Sequence, residues 1–314
     1  MTIRSQKAWH NGQIIDWDDA NIHVMTHALH YGTAWFEGIR CYKTESGPRV
    51  FRLTEHVERL FHSCKIYRTE VPFTQAEITE GIIETIRANQ HEQCYIRPIV
   101  FRGCGSMGVN PLDSPVEVFL LTWEWGRYLG EGALDNGVDV CTSSWFRAAP
   151  NTFPSMAKAA GNYLNGGLVK MEATVKGFAE GIALDVNGYV GEGSGENVFL
   201  VYKGTVLTPP LASSILAGIT RDSVIRLLQE SGIQVVEQQI PREMLYLADE
   251  IFMTGTAAEV TPVRSVDRIP VGAGKRGALT ADLQIRFFDY VRGRRQDDYG
   301  WLTPVYRTES IETT

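Results

Sequence analysis

The sequence predicts a mixed α/β protein of two domains, and three observations carry that expectation. Strand-like and helix-like segments alternate through both halves of the 314 residues. Hairpin turns, rather than regular strand–helix–strand crossovers, join the strands. A glycine-spaced stretch, Gly126-Arg-Tyr-Leu-Gly-Glu-Gly132, separates the halves. The expected organisation is a smaller N-terminal α/β domain over 1–125, a linker over 126–135, and a larger C-terminal domain over 136–314.

In the first half, Val50–Leu53 reads as a short strand, and Thr54 is placed to cap a helix running to about Tyr67. Leu53, Val57, Leu60, Phe61 and Cys64 fall on one face of that helix. A second helix covers about Thr74–Asn89, and strands follow at Cys94–Phe101 and Val116–Thr122. In the second half a strand, Val138–Thr142, precedes the Lys158 segment and a helix of about Gly161–Lys176. The Asn187-Gly188 pair then closes a hairpin between Gly181–Val186 and Tyr189-Val190, as that dipeptide does in two-residue turns. Strands are expected at Val198–Tyr202 and Glu250–Met253, and helices at about Arg221–Ser231, Pro241–Tyr246 and Thr280–Arg292.

The totals exclude several classes. A 44% hydrophobic and 21% charged composition is that of an ordinary soluble protein. Its longest apolar runs, such as Val198–Tyr202, are too short for a membrane span, and residues 1–10 lack a signal-like apolar core. Five cysteines without a Cys-x-x-Cys pair argue for reduced thiols in a cytoplasm. A net charge of −7 offers no footprint for nucleic acid.

Lys158 is the most informative single residue. It is the only charged side chain between Arg147 and Lys170, among small and apolar neighbours. Desolvation there would disfavour the ammonium form and make the amine a nucleophile suited to an imine with an aldehyde. The alternative is a snorkelling lysine whose stem covers apolar surface.

Three glycine-rich or small-residue stretches could hold an anion. Gly191-Glu-Gly-Ser-Gly-Glu-Asn197 has the wrong spacing for a dinucleotide fingerprint and is followed by a strand, so that reading is rejected. The Gly218-Ile-Thr220 stretch opens a helix, whose free Ile219 and Thr220 N–H groups make a phosphate cup; Thr220 could also simply cap that helix. Met253-Thr-Gly-Thr256-Ala257-Ala-Glu259 exposes further backbone donors, or is a plain turn. His23, His27 and His30 would share one helical face, but no paired carboxylate supports a metal site there; they more simply fix the N-terminal segment by hydrogen bonds. A Ser-His-Asp triad is poorly supported: Gly191-Glu-Gly-Ser-Gly195 is out of register for a serine elbow, and all seven histidines precede residue 92.

Seven motifs then occur in order: Tyr31-Gly-Thr-Ala-Trp-Phe36-Glu-Gly-Ile-Arg40, Arg59, Tyr95-Ile-Arg97, Lys158-Ala-Ala-Gly-Asn-Tyr163, Glu192-Gly-Ser-Gly-Glu-Asn197, Gly218-Ile-Thr-Arg-Asp222 and Thr254-Gly-Thr-Ala-Ala-Glu259. Together, across about residues 8–304, they resemble the fold-type IV pyridoxal-phosphate enzymes, and most closely the bacterial branched-chain amino acid aminotransferases. The resemblance implies a two-domain fold-type IV architecture with the active site at the domain interface. It also implies ping-pong transfer of an amino group from L-leucine, L-isoleucine or L-valine to 2-oxoglutarate, yielding L-glutamate and branched 2-oxo acids.

The same resemblance assigns roles. Lys158 would be the Schiff-base lysine of pyridoxal 5′-phosphate and then the proton carrier. Glu192 would lie against the pyridine nitrogen, and Tyr163 would hydrogen-bond the phenolic oxygen. Arg59, Ile219, Thr220 and Thr256 would bind the phosphate. Phe36, Trp125, Met107 and Val109 would contact the branched side chain. Arg97, with Tyr31 and Tyr128, would receive the distal carboxylate of glutamate, and Tyr95, Thr256 and Ala257 the α-carboxylate. Tyr31, Met107 and Val109 would come from a neighbouring subunit, so a homodimer is the least catalytic unit and a hexamer built as a trimer of dimers the expected assembly. D-Amino acid aminotransferase, R-selective amine aminotransferase and aminodeoxychorismate lyase share the fold. Tyr95-Ile-Arg97 and the Gly-Thr-Ala-Ala-Glu run favour the L-branched-chain reading over all three.

Overall fold

Two sheets, each completed by a long-range pairing, organise the chain in a computed structural model that describes residues 4–126, 129–130 and 132–306. The first runs in the order Leu302–Pro304, Gly47–Phe51, Ile39–Thr44, Cys94–Arg102, Val116–Trp123, Lys7–His10 and Gln13–Asp16, with Ala34–Phe36 also paired to Cys94–Arg102. The helices Leu53–Ile66 and Gln75–Ala88 pack against it, so Leu60, Ile78, Ile82 and Ile86 share one apolar cluster with Ile39, Ile96, Val100 and Leu120.

The second sheet runs Val190–Gly193, Glu180–Leu184, Val138–Thr142, Glu259–Val266, Glu250–Gly255, Asn197–Tyr202, Thr205–Thr208 and Val235–Glu237. A further pairing, Glu192 with Asn197, joins the first of these strands to the sixth. Six strands therefore form a closed ring without free edges. The uninterrupted apolar run at Val198–Tyr202 follows from burial on both faces. Val198 and Leu200 enter one core cluster, while Phe199 and Val201 enter another with Val224, Leu227 and Phe287.

Several expectations are corrected. The last strand, Leu302–Pro304, pairs with Gly47–Phe51 in the first sheet rather than staying with the C-terminal domain. Its neighbour Trp301 lies at right angles to Phe51 with ring centroids 5.7 Å apart, which links the two cores. The helix Leu53–Ile66 is not capped by Thr54: Arg52 holds the cap position in a left-handed conformation (φ 55°). Tertiary bonds from Arg52 to Glu55, Asp222 and Ser223 hold it there. His23, His27 and His30 do not share a helical face, because the helix there is only His27–Tyr31. His27 bonds Thr33 Oγ1 and the Gly108 carbonyl, and His30 the Val24 carbonyl. Where the sequence suggests a helix over Pro241–Tyr246, the helix is Met244–Leu247. The helix Gln75–Ala88 opens on a capping box formed by Thr74 and Glu77. Among the described residues no helix is long and apolar enough to cross a membrane.

Candidate active site

Lys158 sits where the two sheets meet. Its backbone N–H donates to Ser63 Oγ on the helix Leu53–Ile66 (2.9 Å), and its carbonyl accepts from the Phe36 N–H (3.1 Å). Ala159 bridges to Trp35 beside it. A segment from the second half of the chain is thus stitched into the first, and the lysine is fixed from both sides.

Its Nζ donates to the Tyr163 hydroxyl at 2.5 Å. Burial, with Arg59 and Arg97 nearby, lowers the Lys158 amine to about 8, against the opposing pull of Glu37 and Tyr95. Burial and the charge of Glu192 hold the Tyr163 phenol well above its ordinary value, so it stays protonated. The sequence expectation of a desolvated amine is matched by this arrangement, and snorkelling is not.

A cavity opens beside Lys158. Arg59, Lys158, Tyr163, Glu192, Gly218, Ile219, Thr220 and Thr256 all line it. The helix Ile219–Glu230 begins against this cavity, two residues earlier than the sequence suggests, with Gly218 as its cap residue. No side chain caps it, so Thr220 does not act as the cap and the first N–H groups are left for a ligand. A Cβ at Gly218 would meet Asn197 Oδ1 at 2.0 Å, which is why the turn requires glycine.

Glu192, also in the lining, is buried. Its carboxylate accepts from the Leu216 N–H (3.0 Å) and Asn197 Nδ2 (3.2 Å), and pairs with Arg147 at 2.8 Å. Burial raises the Glu192 carboxyl despite the lowering effect of Arg147. Thr254 Oγ1 is buried without a hydrogen-bond partner, and Thr254 also lines the cavity.

A second cavity adjoins, lined by Phe36, Tyr95, Arg97, Trp125, Thr256 and Ala257 around Lys158 and Tyr163. The Arg97 guanidinium lies 4.7 Å from the centre of the Phe36 ring, and its Nε has no partner. A cation with an unmatched buried donor, set among aromatic faces, suits a carboxylate arriving beside apolar groups. Gly38 makes room for the Tyr95 hydroxyl, since a Cβ there would lie 2.0 Å from it.

The structure thus gathers most of the sequence-predicted residues around one amine. Tyr31, Met107 and Val109 are exposed and absent from the described lining of either cavity. Tyr128 lies outside the described residues. Sequence reasoning missed Glu37, Gly38, Arg147, Asn197 and Thr254. Asn197 stands inside a quoted motif, and Arg147 marks the edge of the charge-free stretch, so both had a signal.

The residues present fit a pyridoxal phosphate: donors for an anion, a lowered amine and a buried carboxylate line one cavity. The amino-transferase class IV family model matches residues 34–266, most of the chain. The chain belongs to the class IV aminotransferases. It is therefore a pyridoxal-phosphate-dependent transaminase. The branched-chain-amino-acid aminotransferase of Salmonella typhimurium is 54% identical over 305 residues, covering 97% of this chain and 99% of that protein. The crystal structure of the Escherichia coli branched-chain amino acid aminotransferase superposes with a TM-score of 0.95 at 53% identity, over 96% of this chain and 100% of that one. The branched-chain amino acid aminotransferase of Thermobaculum terrenum, solved in its PLP form, is similar too, with TM-score 0.90, 36% identity and coverage of 96% and 99%.

Proposed function

We propose that this class IV aminotransferase is a branched-chain L-amino acid aminotransferase that moves the amino group of leucine, isoleucine or valine to 2-oxoglutarate in two half-reactions. The carrying observation is the Lys158 amine, hydrogen-bonded to Tyr163 in a cavity that a helix N-terminus and Glu192 also line. Pyridoxal phosphate, when bound, supplies an aldehyde and an electron-accepting ring.

The protein's own residues do the rest. Lys158 anchors the cofactor and then moves the proton from the substrate Cα to the cofactor C4′. Glu192 holds a proton at the pyridine nitrogen, and Tyr163 orients the phenolic oxygen. Arg59, Thr256 and the Ile219 and Thr220 N–H groups bind the phosphate. Phe36 and Trp125 present apolar surface to the branched side chain, while Arg97 takes the distal carboxylate of glutamate. Tyr95, Thr256 and Ala257 receive the α-carboxylate. Exposed Tyr31, Met107 and Val109 support a homodimer in which a second copy completes the pocket; Tyr31 and Tyr128 would share the distal carboxylate with Arg97, and a trimer of such dimers in the cytoplasm is the inferred form.

The test is half-reaction kinetics with leucine and with glutamate. Lys158→Ala should abolish both, together with borohydride-fixed cofactor on the Lys158 peptide. Arg97→Ala should slow the glutamate half-reaction far more than the leucine one. Equal losses would remove Arg97 from its assigned role, and an active Lys158→Ala enzyme would end the proposal.

A further inference from the structure

Arg59 does not stand alone. It lies one turn after His56 on the helix Leu53–Ile66, so both side chains meet the same neighbour. That neighbour is Glu37, which has no exposed side-chain surface. One Glu37 oxygen accepts from Arg59 Nε (2.7 Å). The other accepts from Arg59 Nη2 (2.8 Å), His56 Nδ1 (2.7 Å) and the Gly38 N–H (3.3 Å). Four donors saturate the carboxylate. Arg59 Nη1 donates to the Ala217 carbonyl at 2.8 Å. Of the five guanidinium N–H groups, three are thereby spent. One remains on each terminal nitrogen, and Arg59 lines the same cavity as Ile219 and Thr220.

We infer that Glu37, backed by His56, is a positioning residue for the cofactor phosphate: its carboxylate grips the Nε–Nη2 edge of Arg59 so that the remaining donors face the cavity. The inference rests on the cofactor reading above. Electrostatics agree with the geometry. Burial alone would raise the Glu37 carboxyl, yet Arg59 and His56 together bring it well below the usual range, so the clamp is anionic. Burial lowers His56, which leaves a neutral ring free to donate through Nδ1.

The test titrates apoenzyme, prepared from the full chain, with pyridoxal phosphate and with pyridoxal, which lacks the phosphate. Glu37→Gln should weaken pyridoxal phosphate by about tenfold or more, as loss of one charge-assisted hydrogen bond does, and pyridoxal by less than about twofold. Arg59→Ala should show the same selectivity, and the double variant should lose no more than the worse single one. Should Glu37→Gln fail to fold, Glu37→Asp carries the comparison, because it keeps the charge but withdraws the carboxylate by one methylene. Equal weakening of both ligands, unchanged pyridoxal phosphate binding, or additive losses would overturn the inference. Wild-type protein that binds neither ligand would instead overturn the cofactor reading.

Discussion

Lys158 lies between two buried glutamate–arginine pairs, and the cavity meets different members of each. Glu37 and Arg59 form the first pair; only the arginine lines the cavity, and the carboxylate is wholly enclosed behind it. In the second pair, Glu192 and Arg147 both line the cavity. The first carboxyl is pulled down, because two neighbouring donors overcome its burial. The second is pushed up, because burial outweighs Arg147, the Leu216 N–H and Lys158 together. On the proposed function, the first pair offers a cation to the phosphate and the second a carboxylate to the ring. The sign the first pair presents depends on which partner the fold encloses.

The largest expected effect separates the two pairs by chemistry. Glu192→Gln should lower turnover by about 10²–10³-fold, the loss typical of one preorganised electrostatic group. Its pyridoxal phosphate affinity should fall much less than that of Glu37→Gln. If both variants lose affinity and turnover in the same proportion, the two pairs do not have separate tasks.

A smaller effect is read from apoprotein stability against pH in urea melts. Glu37 has a folded pKa below its ordinary 4.5, so its contribution is present above that pH and fades as pH falls through and below it. Glu192 has a folded pKa above 4.5, so its contribution is present at low pH and fades as pH rises. On acidification from neutrality, wild type should lose its advantage over Glu37→Gln and gain relative to Glu192→Gln. Breaking a buried pair costs about 3–5 kcal/mol, which sets the scale for Glu37→Gln at neutral pH. The same pH trend in both variants would contradict the comparison.

The smallest effect concerns the amine between the pairs. The rate at which apoenzyme recombines with pyridoxal phosphate should rise with pH and level off above about 8, where Lys158 is neutral. A plateau already reached at about pH 6 would mean that the amine is lowered far more than its surroundings suggest.

Much of this was legible in the sequence, because periodicity and motif order are local properties. The helix Gln75–Ala88 and the strand Cys94–Arg102 lie within a residue or two of where their patterns place them. Lys158 was visible because a lone charge in an apolar run contradicts the rest of the segment. Arg147 and Glu37 stood at the edge of that run and inside a quoted motif, but their roles were not legible, because each is defined by a partner from another element. Arg52 as a helix cap was illegible for the same reason: Asp222, Ser223 and Trp301 hold it in its left-handed conformation. The strand Leu302–Pro304 carries no local sign of the sheet it joins.

The pairing of Glu192 with Asn197 has one more consequence. It links residues five positions apart, yet it is the rung that completes a circuit running through strands as distant as Val138–Thr142 and Glu259–Val266. In any closed loop of parts, errors of fit accumulate until the final joint must absorb them. On the proposed function, that joint carries the carboxylate offered to the pyridine nitrogen. Substitutions far out on the ring should therefore register first in the colour of the bound cofactor, before they register as lost structure.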